Sequence, residues 1–279
     1  MKKTLKILLL LFISLNILAD DITVSDYIEL AEEYVESEEY ENATFVYQEA
    51  LKFDENNIDI LFKIAEIDVK LGKELEAESR FQRIIEINPN YDKAFLELAK
   101  IYDQKEDTKE NNEKTMEYYK MYLKKNNYQD ADVTFNLGNR YVEKFEYESA
   151  VDVFKKDKTN DYRNVYGTAL MYRFLGYYPK SISYYEKLIE LKPDYEEAFL
   201  GIAISYKLSY KLDKACENYE KYLEIKKDEN VYNDLATLYM LQEKMTSAKR
   251  TVQKGLEFFS NSSQLRELLL EIYNKMGSE

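Results

Sequence analysis

A repeat of about 34 residues runs through nearly the whole chain, and it limits the fold more than any other feature. The pairs Asn88-Pro89 and Lys192-Pro193 each close an expected helix, and an aromatic, Tyr91 or Tyr195, stands two residues after each proline. Extending that register gives seven units, at 24–57, 58–91, 92–130, 131–161, 162–195, 196–228 and 229–262. The eighth place of each unit is small: Ala31, Ala65, Ala99, Gly138, Ala169, Ala203 and Ala236. The eleventh is Tyr34, Tyr102, Tyr141, Tyr172, Tyr206 and Tyr239, with Asp68 as the exception. The twentieth is small again, from Ala43 and Ala77 through Thr115, Ala150, Ser181 and Ala215 to Ala248. The twenty-fourth is bulky: Tyr47, Phe81, Tyr119, Phe154, Tyr185, Tyr219 and Val252.

These columns describe two antiparallel helices per unit. Places four, seven, eight and eleven fall on one stripe of a first helix, and places twenty, twenty-four and twenty-seven on one stripe of a second. A small residue on each helix lets the axes approach closely, and the neighbouring aromatic fills the space beside it. One hairpin cannot bury its stripe alone, so successive units must stack. With only seven glycines and three prolines, the chain has little to interrupt helix.

In these columns the chain resembles the tetratricopeptide repeat (TPR) family over residues 24–262. The resemblance implies an all-α fold: a right-handed α-solenoid, or superhelix, of seven tandem helical hairpins. Ser263 to Lys275 is expected to form a capping helix within the C-terminal segment 263–279. The departures are local. No unit has the family's Trp at place four, where Tyr27, Leu61, Phe95, Thr134, Val165, Phe199 and Tyr232 stand. The third unit carries about four extra residues within Asp103 to Lys114. The fourth is short, with Asp157 to Asp161 in place of its last helical turn, and a break in the stack is expected there.

The first residues have the layout of an export signal. A basic start, Lys2, Lys3 and Lys6, leads into an apolar run from Ile7 to Leu18 and then to Ala19 before Asp20 and Asp21. The run is shorter than the ~20 residues of a spanning helix, so removal of residues 1–19 is expected, with an uncleaved anchor as the alternative. The mature protein would then work in the periplasm or cell envelope of a bacterium, with no integral span.

Composition narrows the chemistry. The net charge of −14 is a poor basis for holding nucleic acid, whose phosphates are met by Lys and Arg. There is no histidine, which removes the commonest general base and metal ligand. Cys216 stands alone, so no internal disulfide forms. An EF-hand register begun at Asp103 places Lys105, Lys109 and Lys114 on ligand positions, which argues against calcium. No catalytic constellation, metal site or cofactor is expected, and most tyrosines sit in the packing columns.

The resemblance therefore implies a non-catalytic scaffold that holds a protein or peptide on its concave face. A structural subunit building an envelope complex or a homo-oligomer is the alternative. In the family, places two, five, nine, twelve and thirteen of each first helix line that face. In the fifth unit these are Arg163, Tyr166, Leu170, Arg173 and Phe174. The sixth supplies Glu197, Leu200, Ile204, Lys207 and Leu208, and the seventh Asn230, Asn233, Thr237, Met240 and Leu241. An apolar strip edged by Arg163, Arg173 and Lys207 suits a segment with hydrophobic anchors and a nearby carboxylate. The first unit offers Ser25, Ile28, Glu32, Val35 and Glu36, which is more acidic and less apolar.

Overall fold

The computed structural model describes residues 23–277, and every regular element among them is an α-helix. The expected leader, residues 1–19, lies outside the described residues. The helices are α1 (Val24–Glu36), α2 (Tyr40–Leu51), α3 (Ile58–Lys70), α4 (Glu74–Ile87), α5 (Asp92–Gln104), α6 (Lys109–Lys125), α7 (Ala131–Glu143) and α8 (Tyr147–Phe154). They continue with α9 (Tyr162–Phe174), α10 (Tyr178–Leu191), α11 (Glu196–Leu208), α12 (Leu212–Ile225), α13 (Glu229–Leu241), α14 (Met245–Phe258) and α15 (Ser263–Gly277). They form an α-solenoid of consecutive antiparallel hairpins, divided between Asn126 and Asn127 into two compact units. The first holds α1–α6 and the second α7–α15.

One turn recurs inside the hairpins. In six of them place fifteen has positive φ: Glu38, Gly72, Phe145, Gly176, Tyr210 and Glu243, at 58° to 78°. The amide that follows donates back to the carbonyl of place eleven, as in Tyr177 N to Tyr172 O at 2.8 Å and Lys211 N to Tyr206 O at 2.9 Å. The amide of place fifteen itself donates to place twelve, as in Tyr210 N to Lys207 O at 3.1 Å. This is a Schellman motif, which satisfies the last carbonyls of the first helix and reverses the chain into the second. The third hairpin alone replaces it with an insertion, and there Thr108 caps α6 by accepting from Asn111 N. Entry to five of the seven first helices is fixed by side-chain caps instead: Thr23 with Asp26, Asn57, Asp130, Asp161 and Asp228.

The small and bulky columns meet in the core. Places eight, twenty and twenty-four are buried in every hairpin. Where a column carries a hydroxyl instead of a methyl, a local acceptor takes it: Ser181 Oγ donates to Ala169 O at 2.8 Å, and Thr115 Oγ1 to Asn111 O at 2.9 Å. Asp68, the exception at place eleven, is buried and paired with Arg80 of α4. The last hairpin is closed by α15, whose Leu265, Leu268 and Ile272 pack into the cluster formed by α12 to α14. Its other face leaves Leu270, Tyr273 and Met276 exposed.

The expected break at Asp157 to Asp161 is corrected. The short α8 packs directly on α9, with Phe154 filling the space beside Gly138 and Gly167, where a Cβ would collide with its ring. Asp157 organises the loop: its carboxylate accepts from Thr159 N at 3.0 Å and Asp161 N at 2.9 Å. Lys158 N then donates to Tyr128 O at 3.0 Å. The division lies instead at Asn126/Asn127, next to two consecutive left-handed residues, Asn127 and Tyr128.

Candidate protein-interaction surfaces

In the second compact unit, α9, α11 and α13 carry the residues expected to meet a partner. Place thirteen is apolar on all three helices and solvent-exposed: Phe174 is 60% accessible, Leu208 45% and Leu241 68%. Phe174 lies stacked on Tyr147, with ring centroids 5.6 Å apart. Behind this row, Tyr166, Leu170, Leu200, Ile204 and Asn233 are half-buried and Thr237 is exposed. Tyr166 stands edge-on to Tyr185 and Tyr195, and burial pushes its phenol up. Leu170 packs against the cluster around Phe154 and Tyr172, and Leu200 and Ile204 against the cluster of α12 to α14. Thr237 Oγ1 is turned back onto its own helix, donating to Asn233 O at 2.8 Å.

The cations on this face divide into two kinds. Arg163 is committed within the chain: its Nε donates to Asp161 at 2.9 Å and its Nη2 to Asp132 at 2.6 Å, while the guanidinium covers the Phe135 ring. Lys207 is paired with Asp234 at 2.9 Å, and the same carboxylate accepts from Tyr219 at 3.3 Å. Arg173 differs. Among the described residues it has no carboxylate partner; it lies 5.8 Å from the Phe174 ring, and its charge bears on the phenols of Tyr166, Tyr185 and Tyr219. So of the three cations that edge the strip in sequence, Arg173 is the one left for an incoming carboxylate. Met240 is also reassigned: it is buried with the core of α13 and α14. Asp234, which neutralises Lys207, was not singled out by the repeat register, because place six carries glycine in the two preceding units, Gly167 and Gly201.

The first compact unit has a concavity that sequence columns did not reveal. A cavity of about 580 Å³ opens across the first helices, lined by Glu32, Val35 and Glu36 of α1, by Lys63, Glu66, Ile67, Val69 and Lys70 of α3 and by Glu97 of α5, with Tyr47 of α2. Its volume falls in the ~300–1,000 Å³ range of ligand sites. The Tyr47 hydroxyl is fully buried and has no hydrogen-bond partner among the described residues. Burial, together with the charges of Glu32 and Glu66, pushes this phenol up to about 12. A sequence signal did exist: place six of the following unit is Lys63, which cannot accept a hydrogen bond from Tyr47, whereas Asp234 accepts from Tyr219 at the equivalent point.

Among the described residues no cluster of three or more Asp, Glu, Cys or His is placed to hold a metal ion, and no helix is long and apolar enough to cross a membrane. Cys216 is buried, and burial pushes its thiol up to about 11.

Family models place this geometry. A model of the TPR repeat matches residues 31–72, and a model of the tetratricopeptide repeat matches residues 165–195. The chain contains tetratricopeptide repeats. Among proteins known from sequence, this TPR protein is similar to the TPR repeat-containing protein YpiA of Bacillus subtilis (strain 168), with 25% identity over 131 residues. The match covers 46% of the chain but only 29% of that relative. Among solved structures, it superposes on Naa15/Naa10 bound to HypK-THB with a TM-score of 0.68 at 14% identity, covering 90% of this chain and 39% of the other. It superposes on the C-terminal part of a TPR repeat-containing protein from Cytophaga hutchinsonii with a TM-score of 0.58 at 18% identity, covering 87% and 99%. YrrB, described as a TPR protein with an unusual peptide-binding site, gives 0.50 at 15%, covering 66% and 94%. At these identities the likeness is one of fold, and that fold is the fold of protein-interaction scaffolds.

Proposed function

We propose that this TPR protein is an exported, non-catalytic scaffold of the bacterial cell envelope that holds a protein or peptide segment on the first-helix face of α9, α11 and α13. One observation carries the reading: Phe174, Leu208 and Leu241, at the same place in three consecutive hairpins, stand in solvent as a row with the unpaired Arg173 beside it. Isolated exposed apolar residues mean little, but the same apolar place exposed in three successive hairpins, with a cation beside it in one of them, suits a recognition surface. A partner segment would set apolar side chains against the row and a carboxylate against Arg173. YrrB is described with a peptide-binding site and Naa15/Naa10 with a bound partner, uses of the same fold that accord with this reading.

Export rests on the leader-like layout of residues 1–19. Finding the protein in the cytosol with Met1 intact would overturn that part. For the surface, the test is capture from an envelope fraction by the mature chain, quantified by mass spectrometry, with and without Phe174→Ser, Leu208→Ser and Leu241→Ser. Because all three side chains are exposed, the triple variant should stay folded, melting only slightly lower for the lost Phe174–Tyr147 stack, and lose its partner. Unchanged capture with an intact fold would overturn the surface.

A second reading, a structural subunit that assembles with copies of itself, is favoured by the exposed Leu270, Tyr273 and Met276 on α15. A concentration-independent oligomer in light scattering, abolished by Leu270→Glu, would establish it.

A further inference from the structure

We propose that the cavity of the first compact unit is a second recognition site, built to receive an arginine side chain from a partner protein. The inference rests on the scaffold reading only in taking the ligand to be a protein. Its residues lie in α1, α2, α3 and α5 and share nothing with the residues on α9, α11 and α13.

Three independent features converge on this ligand. The first is charge. Glu32, Glu36 and Glu66 line the cavity, and none has an ion-pair partner among the described residues. Glu97, by contrast, is held by Lys100 at 2.7 Å. Two lysines also line the space, and one of them, Lys70, is drawn aside over the Tyr40 ring at 5.2 Å. The balance is negative, in a concave site where low-dielectric walls concentrate the field.

The second feature is the Tyr47 hydroxyl. It is buried beneath the cavity with both its proton and its lone pairs unused. A buried hydroxyl without a partner is destabilising, so such groups are kept where something completes them. An arginine carries five donors and no acceptor, which matches a site that offers carboxylates and a phenol oxygen. Its planar fork addresses a carboxylate through two parallel bonds, and an ammonium cannot do this.

The third feature is shape. Val35, Ile67 and Val69 supply an apolar wall beside the carboxylates. A long cationic side chain needs both: a surface for its methylene stem and acceptors for its charged end. A metal ion would use only the second, and an anion is repelled.

The probe is a capped pentapeptide with a central arginine, titrated calorimetrically into the full chain at low salt. Its comparison is the same peptide with citrulline, which keeps the shape and removes the charge. Saturable single-site binding is expected for arginine, with about tenfold or greater weakening for citrulline. It should weaken on adding salt as a partly exposed charge contact does. Glu32→Gln with Glu66→Gln should weaken binding by a similar factor. Tyr47→Phe keeps the ring and removes the orphan hydroxyl, so it should fold with an unreduced melting temperature while weakening the peptide several-fold. Phe174→Ser should leave this binding unchanged, which separates the cavity from the other surface. Equal binding of the two peptides, no saturable binding, or indifference to the two Glu changes would each overturn the proposal. Spermidine binding more tightly than the arginine peptide would overturn it too, by assigning the cavity to a free polycation.

Discussion

Tyr210 occupies a backbone conformation that suits it badly, and replacing it with glycine should stabilise the protein. At φ 58° it sits where an L side chain crowds the following carbonyl, at a cost of roughly 1–2 kcal/mol. Its side chain is 89% accessible, so almost no burial compensates in the folded state. Glycine removes the crowding, but it is more disordered when unfolded, which returns about 0.4–1 kcal/mol. The net gain for Tyr210→Gly is about 0.5–1 kcal/mol, or ~1–4 °C in the melting of the second compact unit. The same turn supplies its own controls. Phe145, at φ 59°, meets the Tyr147 ring edge-on with centroids 6.3 Å apart, a contact worth about 0.5–1.5 kcal/mol, so Phe145→Gly should come out near neutral. Gly176 and Gly72 already hold this place, and Gly176→Tyr should lower stability by about what Tyr210→Gly adds. The assay is differential scanning calorimetry of the three variants beside the parent. A lowered melting temperature for Tyr210→Gly, or a raised one for Gly176→Tyr, would refute the assignment of strain to this turn. A variant that melts higher yet captures less partner would show why an exposed aromatic persists there.

Three further outcomes follow from the packing and the titrating groups. Gly201→Ala should destabilise by about 1–2 kcal/mol in urea denaturation, because its Cβ would strike the buried Tyr185 ring and overpacking outweighs the ~1 kcal/mol gained in helix propensity. Asp161 caps α9 and is held by Arg163, whose hydrogen bonds depress its carboxyl; the resulting stability is present above the unfolded value near ~4 and is lost as pH falls through the lower folded value. Asp161→Ala should therefore lower the melting temperature at neutral pH, by about 0.5–2 kcal/mol for the cap, and flatten the acid limb. Cys216, with its thiol pushed up to about 11, should react with a disulfide reagent at pH 8 at least ~10²-fold more slowly than an unfolded cysteine, and denaturant should abolish the difference.

The fold was legible because its determinants recur. Small residues at places eight and twenty and a bulky one at place twenty-four repeat the same contact in every hairpin, so seven weak signals add to one strong one. The caps were not read from the columns, although Asn57, Asp130, Asp161 and Asp228 stand just before apolar stripes. The short fourth repeat misled for a local reason. Loss of a helical turn looks like a gap in sequence, but the Asp157 loop and the Phe154 ring against two glycines close it. The division at Asn126/Asn127 left no mark in the columns, because the irregularity lies in backbone conformation rather than in a packing residue.

The surfaces were harder to read, because they depend on what differs between repeats. The register places Arg163, Arg173 and Lys207 on one face, but it is silent about Asp132, Asp161 and Asp234, which cancel two of them. The column of buried tyrosines makes the same point. Tyr47 and Tyr219 share a column and a burial, so a profile scores them alike. One has Asp234 of the next first helix as its acceptor, and the other meets Lys63 at the same place. That single exchange converts a satisfied core hydroxyl into an orphan under an acidic cavity. In a repeat array the shared columns build the fold, and the residue that breaks a pairing marks where the array has something left to bind.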